Sequence, residues 1–165
     1  MINKKVEAAF NKQIAEEQYS AMLYLALAGY YESMNFKGFG SWLRLQYEEE
    51  LAHAIKFFNF IIERGGTAEL SALPKPPTKL PPPHQAFSLA YQHEQKITKL
   101  IDSLYDLALK EKDYPSQSFL KWFIDEQVEE EASTLEITEK LKMIGDKSSG
   151  ILMLDHQVGK RGKKE

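Results

Sequence analysis

The chain contains no cysteine, which excludes disulfides and thiolate metal sites and fits a reducing compartment. It also lacks a surplus of positive charge: 21 lysines and arginines against 24 acidic residues leave a net charge of -3, which argues against a nucleic-acid partner. Its longest near-apolar run, AMLYLALAGYY at 21–31, is too short to cross a bilayer, so no membrane partner is expected. The amino terminus, MINKKVEAAFNKQ, has no apolar stretch of the kind a secretory leader needs. These absences lead to the expectation of a soluble, cytoplasmic protein. A length of 165 residues suits a single domain, 1–165, able to bury roughly 70% of its unfolded surface.

Proline is absent from most of the chain. All seven prolines lie at 74, 76, 77, 81, 82, 83 and 115. An interior proline costs a helix about 3 kcal/mol, so the long proline-free spans are free to be helical. Their apolar residues repeat with the helical period. A first helix is expected over about 5–34, with Val6, Phe10, Glu17, Ala21, Tyr24, Ala28 and Tyr31 on one stripe. After a turn supplied by Asn35 and Gly38, a second helix over about 38–64 carries Phe39, Leu43, Gln46, Glu50, His53, Phe57 and Phe60. A third, about 84–111, carries Phe87, Tyr91, Glu94, Ile97, Ile101, Leu104 and Ala108. A fourth, about 115–144, carries Phe119, Phe123, Gln127, Glu130, Thr134, Ile137, Leu141 and Ile144. A short fifth helix, about 149–158, would be capped by Ser148 or Ser149.

The connection 66–83 is rich in proline and extends at about 3.1 Å per residue, so it spans roughly 50 Å. That exceeds the roughly 40 Å length of each helix, whereas a turn between antiparallel neighbours needs only about 2 to 8 residues. The expected fold is all-α: two helical hairpins joined by one long crossover, with a small helix appended.

Each long stripe is interrupted near its middle by a glutamate: Glu17, Glu50, Glu94 and Glu130, with His53 one turn beyond Glu50. An isolated glutamate on a helix is ordinarily a solvated surface residue. Here each lies between apolar residues of a core face, and no basic residue lies on the stripes around them. Unpaired buried carboxylates cost several kcal/mol each. Two divalent cations would balance the four negative charges, and oxygen-rich ligation with one imidazole favours iron or manganese. The alternative is that the glutamates stay protonated and hydrogen-bonded to Gln13, Gln46, Gln127 and the tyrosines.

The segments EEQYS at 16–20, YEEELAH at 47–53, HEQ at 93–95, DYPSQSFLKWF at 113–123 and EQVEEE at 126–131 resemble the bacterial non-haem ferritins over nearly the whole chain. The resemblance implies a ferritin-like four-helix bundle that stores iron and oxidises Fe(II) with dioxygen or peroxide at a di-iron site. It implies that Glu17, Glu50 and His53 hold one iron and Glu50, Glu94 and Glu130 the other, with Gln127 beside the second and Tyr24 nearby. Glu49, Glu126 and Glu129 look like carboxylates of a third iron site. It also implies a homo-oligomeric cage of twenty-four subunits containing ferric mineral, with the fifth helix at its fourfold axes. The excess of apolar residues at Met22, Leu23, Leu25 and Leu27 points independently to a second buried surface. Bacterioferritins differ in carrying a second Glu-x-x-His on the fourth helix and a haem-ligating methionine after the bridging glutamate. Here Gln127-Val128-Glu129-Glu130 and Leu51 stand instead, so haem is not expected. A non-storing di-iron oxidase or peroxidase on the same bundle is the alternative function.

Overall fold

Five helices account for nearly all regular structure in the computed structural model, which describes residues 1–78 and 80–162. They are α1 (Lys4–Ser33), α2 (Lys37–Glu63), α3 (Pro83–Lys110), α4 (Tyr114–Ile144) and α5 (Ser148–Val158). Residue 79, in the expected crossover, and residues 163–165, at the end of the expected domain, lie outside the described residues.

Local chemistry sets the helix ends. The Asn3 side chain accepts a hydrogen bond from the Lys5 amide at the start of α1, and Asp113 accepts one from Ser116 at the start of α4. Pro83 and Pro115 sit in the first turns of α3 and α4, where their missing N–H groups would have no helical partner. The two tight hairpin turns close through residues in the left-handed region, Asn35 at φ 66° and Lys112 at φ 54°.

α1 pairs with α2, and α3 with α4. The start of α1 meets the end of α2, where the Ile2 amide donates to the Arg64 carbonyl oxygen, and it meets the α3–α4 turn, where Asn3 donates to Glu111. At the far end, the Tyr31 hydroxyl donates to the Pro81 carbonyl oxygen just before α3. The segment from Arg64 to Pro82 therefore runs the length of the bundle, and the fold is the expected four-helix bundle with one long crossover and a short C-terminal helix.

Two apolar clusters fill the ends of the bundle. One is built on Val6, Phe10, Phe57, Ile61, Ile101 and Phe123; the other on Tyr31, Phe39, Trp42, Phe87, Ile137 and Leu141. The expected stripes hold at their centres, but Phe60, Tyr91, Phe119 and Ile144 are only partly buried, on the shoulders of the core. Phe60 and Phe119 stack on one another there, with ring centroids 4.1 Å apart. Leu27 is absorbed into the core, whereas Met22, Leu23 and Leu25 are half-buried.

Two expectations about local structure need correction. Gly38 is not part of the turn; it lies inside α2, where a Cβ would stand 1.6 Å from the Asp155 carbonyl oxygen of α5. Its bare backbone is what lets α5 approach, and the Asp155 carboxylate then accepts from the Phe39 amide at 2.7 Å, supplying the cap that α2 lacks locally. Neither serine caps α5, which starts at Ser148 with Lys147 as its N-cap residue and no side-chain cap.

Gly38→Ala should push α5 off the start of α2 and destabilise the protein by about 2 kcal/mol or more. Gly29→Ala, in mid-α1 with nothing within 4 Å of the added methyl, should stabilise by about 1 kcal/mol through helix propensity. Thermal unfolding of the two variants beside the parent checks the contrast in sign.

Candidate metal centre

Between the two apolar clusters lies a layer of polar side chains drawn from all four long helices. Glu17 comes from α1, Glu50 and His53 from α2, Glu94 from α3, and Gln127 and Glu130 from α4, each at most 4% exposed. Every one of these residues occupies a position whose neighbours one turn away are core residues, so the packing that buries the phenylalanines carries the carboxylates inward too.

The ligand atoms fall into two groups. Oxygens of Glu17 and Glu50 and a nitrogen of His53 lie within 4.8 Å of one another, as do atoms of His53, Glu126 and Glu130. His53 joins the groups: its Nδ1 is 3.4 Å from Glu50 Oε2, and its Nε2 is 3.9 Å from Glu126 Oε1. Glu94 faces the same layer, but its carboxylate accepts from the Tyr24 hydroxyl and, at 3.3 Å, from the Gln127 amide. Three further amide contacts line the layer. Gln13 donates to Glu17 at 2.8 Å, Gln46 donates to Glu130 at 2.7 Å, and Gln127 also reaches the Glu94 carbonyl oxygen at 3.4 Å.

These donors are neutral. Among the described residues, no lysine or arginine pairs with Glu17, Glu50, Glu94 or Glu130. Glu17 Oε2 and Glu50 Oε2 are buried without any hydrogen-bond partner, so the centre contains acceptor atoms with nothing to accept from. The electrostatic result is a set of reluctant acids. Burial, reinforced by the charge of Glu50, raises the Glu17 carboxyl well above its ordinary range. Burial and then the charges of Glu94 and Glu130 do the same to Glu50. Burial pushes Glu94 up to about 7 despite the hydrogen bonds from Tyr24 and Gln127, and burial with the charge of Glu94 pushes Glu130 up to about 7. Tyr24, raised by burial and by Glu94, stays a protonated donor. Hard divalent cations suit this donor set: anionic oxygens, one imidazole and no sulfur.

The residues expected at a third site are not gathered in one place. Glu126 stands beside His53 and Glu130, Glu129 is exposed, and Glu49 is engaged by Arg161, with Oε1 and Oε2 at 3.1 and 2.8 Å from one guanidinium nitrogen. The helical stripes carry no basic residue beside the carboxylates, but the chain beyond α5 returns one to their edge. Trp122 also escaped the sequence reading: its ring meets the His53 ring edge-on at 5.5 Å, with the Lys56 ammonium 3.6 Å from its centroid. Its spacing of four residues before Glu126 was the available signal.

Buried carboxylates and an imidazole converging from two antiparallel helical hairpins joined by a long crossover define the ferritin-like class of metal-binding bundles. The chain belongs to the ferritin family, whose profile, described as Ferritin-like domain, matches residues 7–144. It is 41% identical to a bacterial non-heme ferritin of Bacteroides fragilis, over 98% of this chain and all of that protein. It is 36% identical to the corresponding protein of Staphylococcus saprophyticus, over 98% of this chain and 96% of that one. Among solved structures, an open pore ferritin from the hyperthermophilic archaeon Archaeoglobus fulgidus superposes with a TM-score of 0.95 at 46% identity, covering 98% of this chain and 99% of that one.

A carboxyl whose folded pKa lies above its unfolded value contributes stability that is complete below the unfolded pKa and is lost as pH rises through the folded one. For Glu94 and Glu130 the window runs from 4.5 to about 7. Chelator-treated protein should therefore lose stability between pH 4.5 and 8, on the order of 3 kcal/mol for each group taken alone. A Glu94→Gln/Glu130→Gln variant, whose amides do not titrate, should show a shallower decline in denaturant titrations over that range. Equal slopes would remove these two groups as its cause.

Proposed function

We propose that the protein is a cytoplasmic ferroxidase and iron store, and that the observation carrying this reading is the pair of orphaned oxygens on Glu17 and Glu50 within a buried, cation-free carboxylate layer. Iron is the substrate. Glu17, Glu50 and His53 bind one Fe(II), and Glu50, Glu94 and Glu130 bind the other, with Glu50 shared between them. Two ferrous ions neutralise the four carboxylates, so binding offsets both the burial that chiefly raises their pKa values and the repulsion that adds to it.

Held side by side, the two ions deliver electrons together. Two Fe(II) reduce dioxygen with two protons to hydrogen peroxide and become two Fe(III), or reduce peroxide with two protons to two waters. The protein's contribution is geometry and charge. Tyr24, hydrogen-bonded to Glu94, keeps that carboxylate oriented, and Gln127 holds its other oxygen. The second iron has no histidine of its own, and its two carboxylates remain tied to Gln46, Gln127 and Tyr24. That asymmetry favours release of ferric product from the second position toward a mineral core.

Storage requires a container. Leu152 and Met153 of α5 and Met143 of α4 are 59%, 75% and 78% exposed, an apolar surface that self-association would cover. The relatives are ferritins, the superposed archaeal structure is an open pore ferritin, and a homo-oligomeric cage of twenty-four copies would cover this surface. No helix among the described residues is long and apolar enough to cross a membrane.

Glu50→Ala should lower the rate of aerobic Fe(II) oxidation by roughly 100-fold, since it removes a ligand shared by both ions. Size-exclusion chromatography after aerobic loading completes the test. Iron co-eluting with a large assembly far in excess of the two ions each subunit can ligate supports storage. Iron limited to the ligated ions in a small oligomer would favour a di-iron oxidase or peroxidase.

A further inference from the structure

Arg161 reaches the edge of the carboxylate layer from outside the four-helix bundle and pairs there with an acidic side chain. Asp155 and Gly38 pin α5 to the start of α2, and the turns at 159–162 then bring Arg161 onto one face of α2. Trp42, Gln46 and Glu49 lie on that face at helical spacings of four and three residues. Arg161 engages all three. Its guanidinium carbon is 4.9 Å from the centre of the Trp42 ring, one nitrogen donates to the Gln46 side-chain oxygen, and another donates to both oxygens of Glu49.

The contact with Gln46 has a directional consequence. A guanidinium only donates, so it selects the oxygen of the Gln46 amide and turns the NH2 group away from itself. That NH2 group donates to Glu130 Oε2 at 2.7 Å, and Gln46 is wholly buried. Arg161 thereby orders an oxygen of an iron-ligating carboxylate through one intervening side chain. The contact with Glu49 is a matter of charge. Glu49 is the nearest acidic residue on α2 to Glu50, and its charge is among those raising the Glu130 carboxyl. Close by, His53, Glu126 and Glu130 already have ligand atoms within 4.8 Å of one another. Released from Arg161, Glu49 would stand as a further uncompensated carboxylate at the edge of the layer and draw another cation toward it.

We propose that Arg161 is a built-in counter-ion and positioning residue: it holds Glu49 in an ion pair and orients Gln46 toward Glu130, restricting each subunit to the metal ions of the buried centre. The guanidinium stands where another cation would otherwise be drawn, and it cannot leave by deprotonation because it remains charged at any accessible pH. The inference rests on the reading of the buried layer as a metal centre.

The test is a titration of the intact, iron-free assembly with Zn(II), which binds without redox chemistry, read by isothermal titration calorimetry. Arg161 lies beyond the last helix and is partly exposed, so its replacement leaves the packed core intact. Arg161→Ala should bind one more Zn(II) per subunit than the parent protein. Arg161→Lys, which keeps the charge, should return the count to the parent value, and so should Arg161→Ala combined with Glu49→Gln. An unchanged count in Arg161→Ala, or an extra ion that survives the Glu49→Gln change, would overturn the proposal. Failure of the underlying reading has a different signature: Glu50→Ala would then bind as many ions as the parent.

Discussion

Four carboxyl groups are enclosed in a helical bundle with no cation from the same helices to balance them, and the rest of the molecule is arranged around that repulsion. An ion pair in the same place would be easier to fold around, but it would leave nothing for a metal to do. The amides of Gln13, Gln46 and Gln127 and the Tyr24 hydroxyl take the intermediate course. They satisfy individual oxygens and fix rotamers without cancelling charge, so hydrogen-bond demand is partly met while electrostatic demand is not. Such an arrangement needs stability from elsewhere, and the aromatic clusters at both ends of the bundle provide it. Phe10, Phe57 and Phe123 on one side, and Phe39, Trp42 and Phe87 on the other, clamp the polar layer between surfaces that exclude water.

The crossover and α5 serve the same centre at a distance. Running the length of the bundle, the crossover lets α3 start at the same end as α2, so that the mid-points of all four helices fall at one level. Its first residues are fastened to α1: the Glu7 carboxylate accepts from Thr67, and Asn11 exchanges hydrogen bonds with Thr67 and Glu69. At the end of the bundle away from α5, Asp113 accepts from Arg64, Asn3 and Ser116, tying α1, α2 and α4 together. Burial alone would raise that carboxyl, but Arg64 and the two amides outweigh it and hold it below the ordinary range. The contrast with Glu94 is instructive: both carboxylates are buried and multiply hydrogen-bonded, and only the one with a guanidinium partner is held below the ordinary carboxylate range.

The helices and the buried glutamates were legible because periodicity reports burial directly. A glutamate flanked two turns away by Phe10 and Tyr24, or by Leu43 and Phe57, cannot reach water without taking those aromatic and aliphatic groups with it. Proline spacing was legible for a similar reason, since the ring has a local, unavoidable effect on the helix. What periodicity cannot report is an approach between elements distant in sequence. Gly38 looks like any turn glycine until Asp155 is set against it, 117 positions later. Arg161 follows the last helix, outside every repeat, and only the docking of α5 decides that it meets Gln46 and Glu49. The shoulders of the core show a milder form of the same limit. Phe60 and Phe119 fall on their stripes, yet they stack at the margin because the neighbouring Phe10, Phe57 and Phe123 rings already fill the centre.

The two halves of the centre differ in how their oxygens are committed, and this difference has a direction. Glu17 and Glu50 each present an oxygen with no donor, beside an imidazole; Glu94 and Glu130 present oxygens already engaged by Tyr24, Gln127 and Gln46. A cation at the first pair meets one oxygen on each carboxylate that no donor holds, although Gln13 keeps the other oxygen of Glu17. At the second pair it must share each carboxylate with a neutral donor, and the donor remains to re-form its hydrogen bonds when the cation leaves. Exchange at the second position therefore has a lower cost than exchange at the first. Under the proposed function that inequality would let one ion be relinquished while the other keeps the carboxylates from repelling one another.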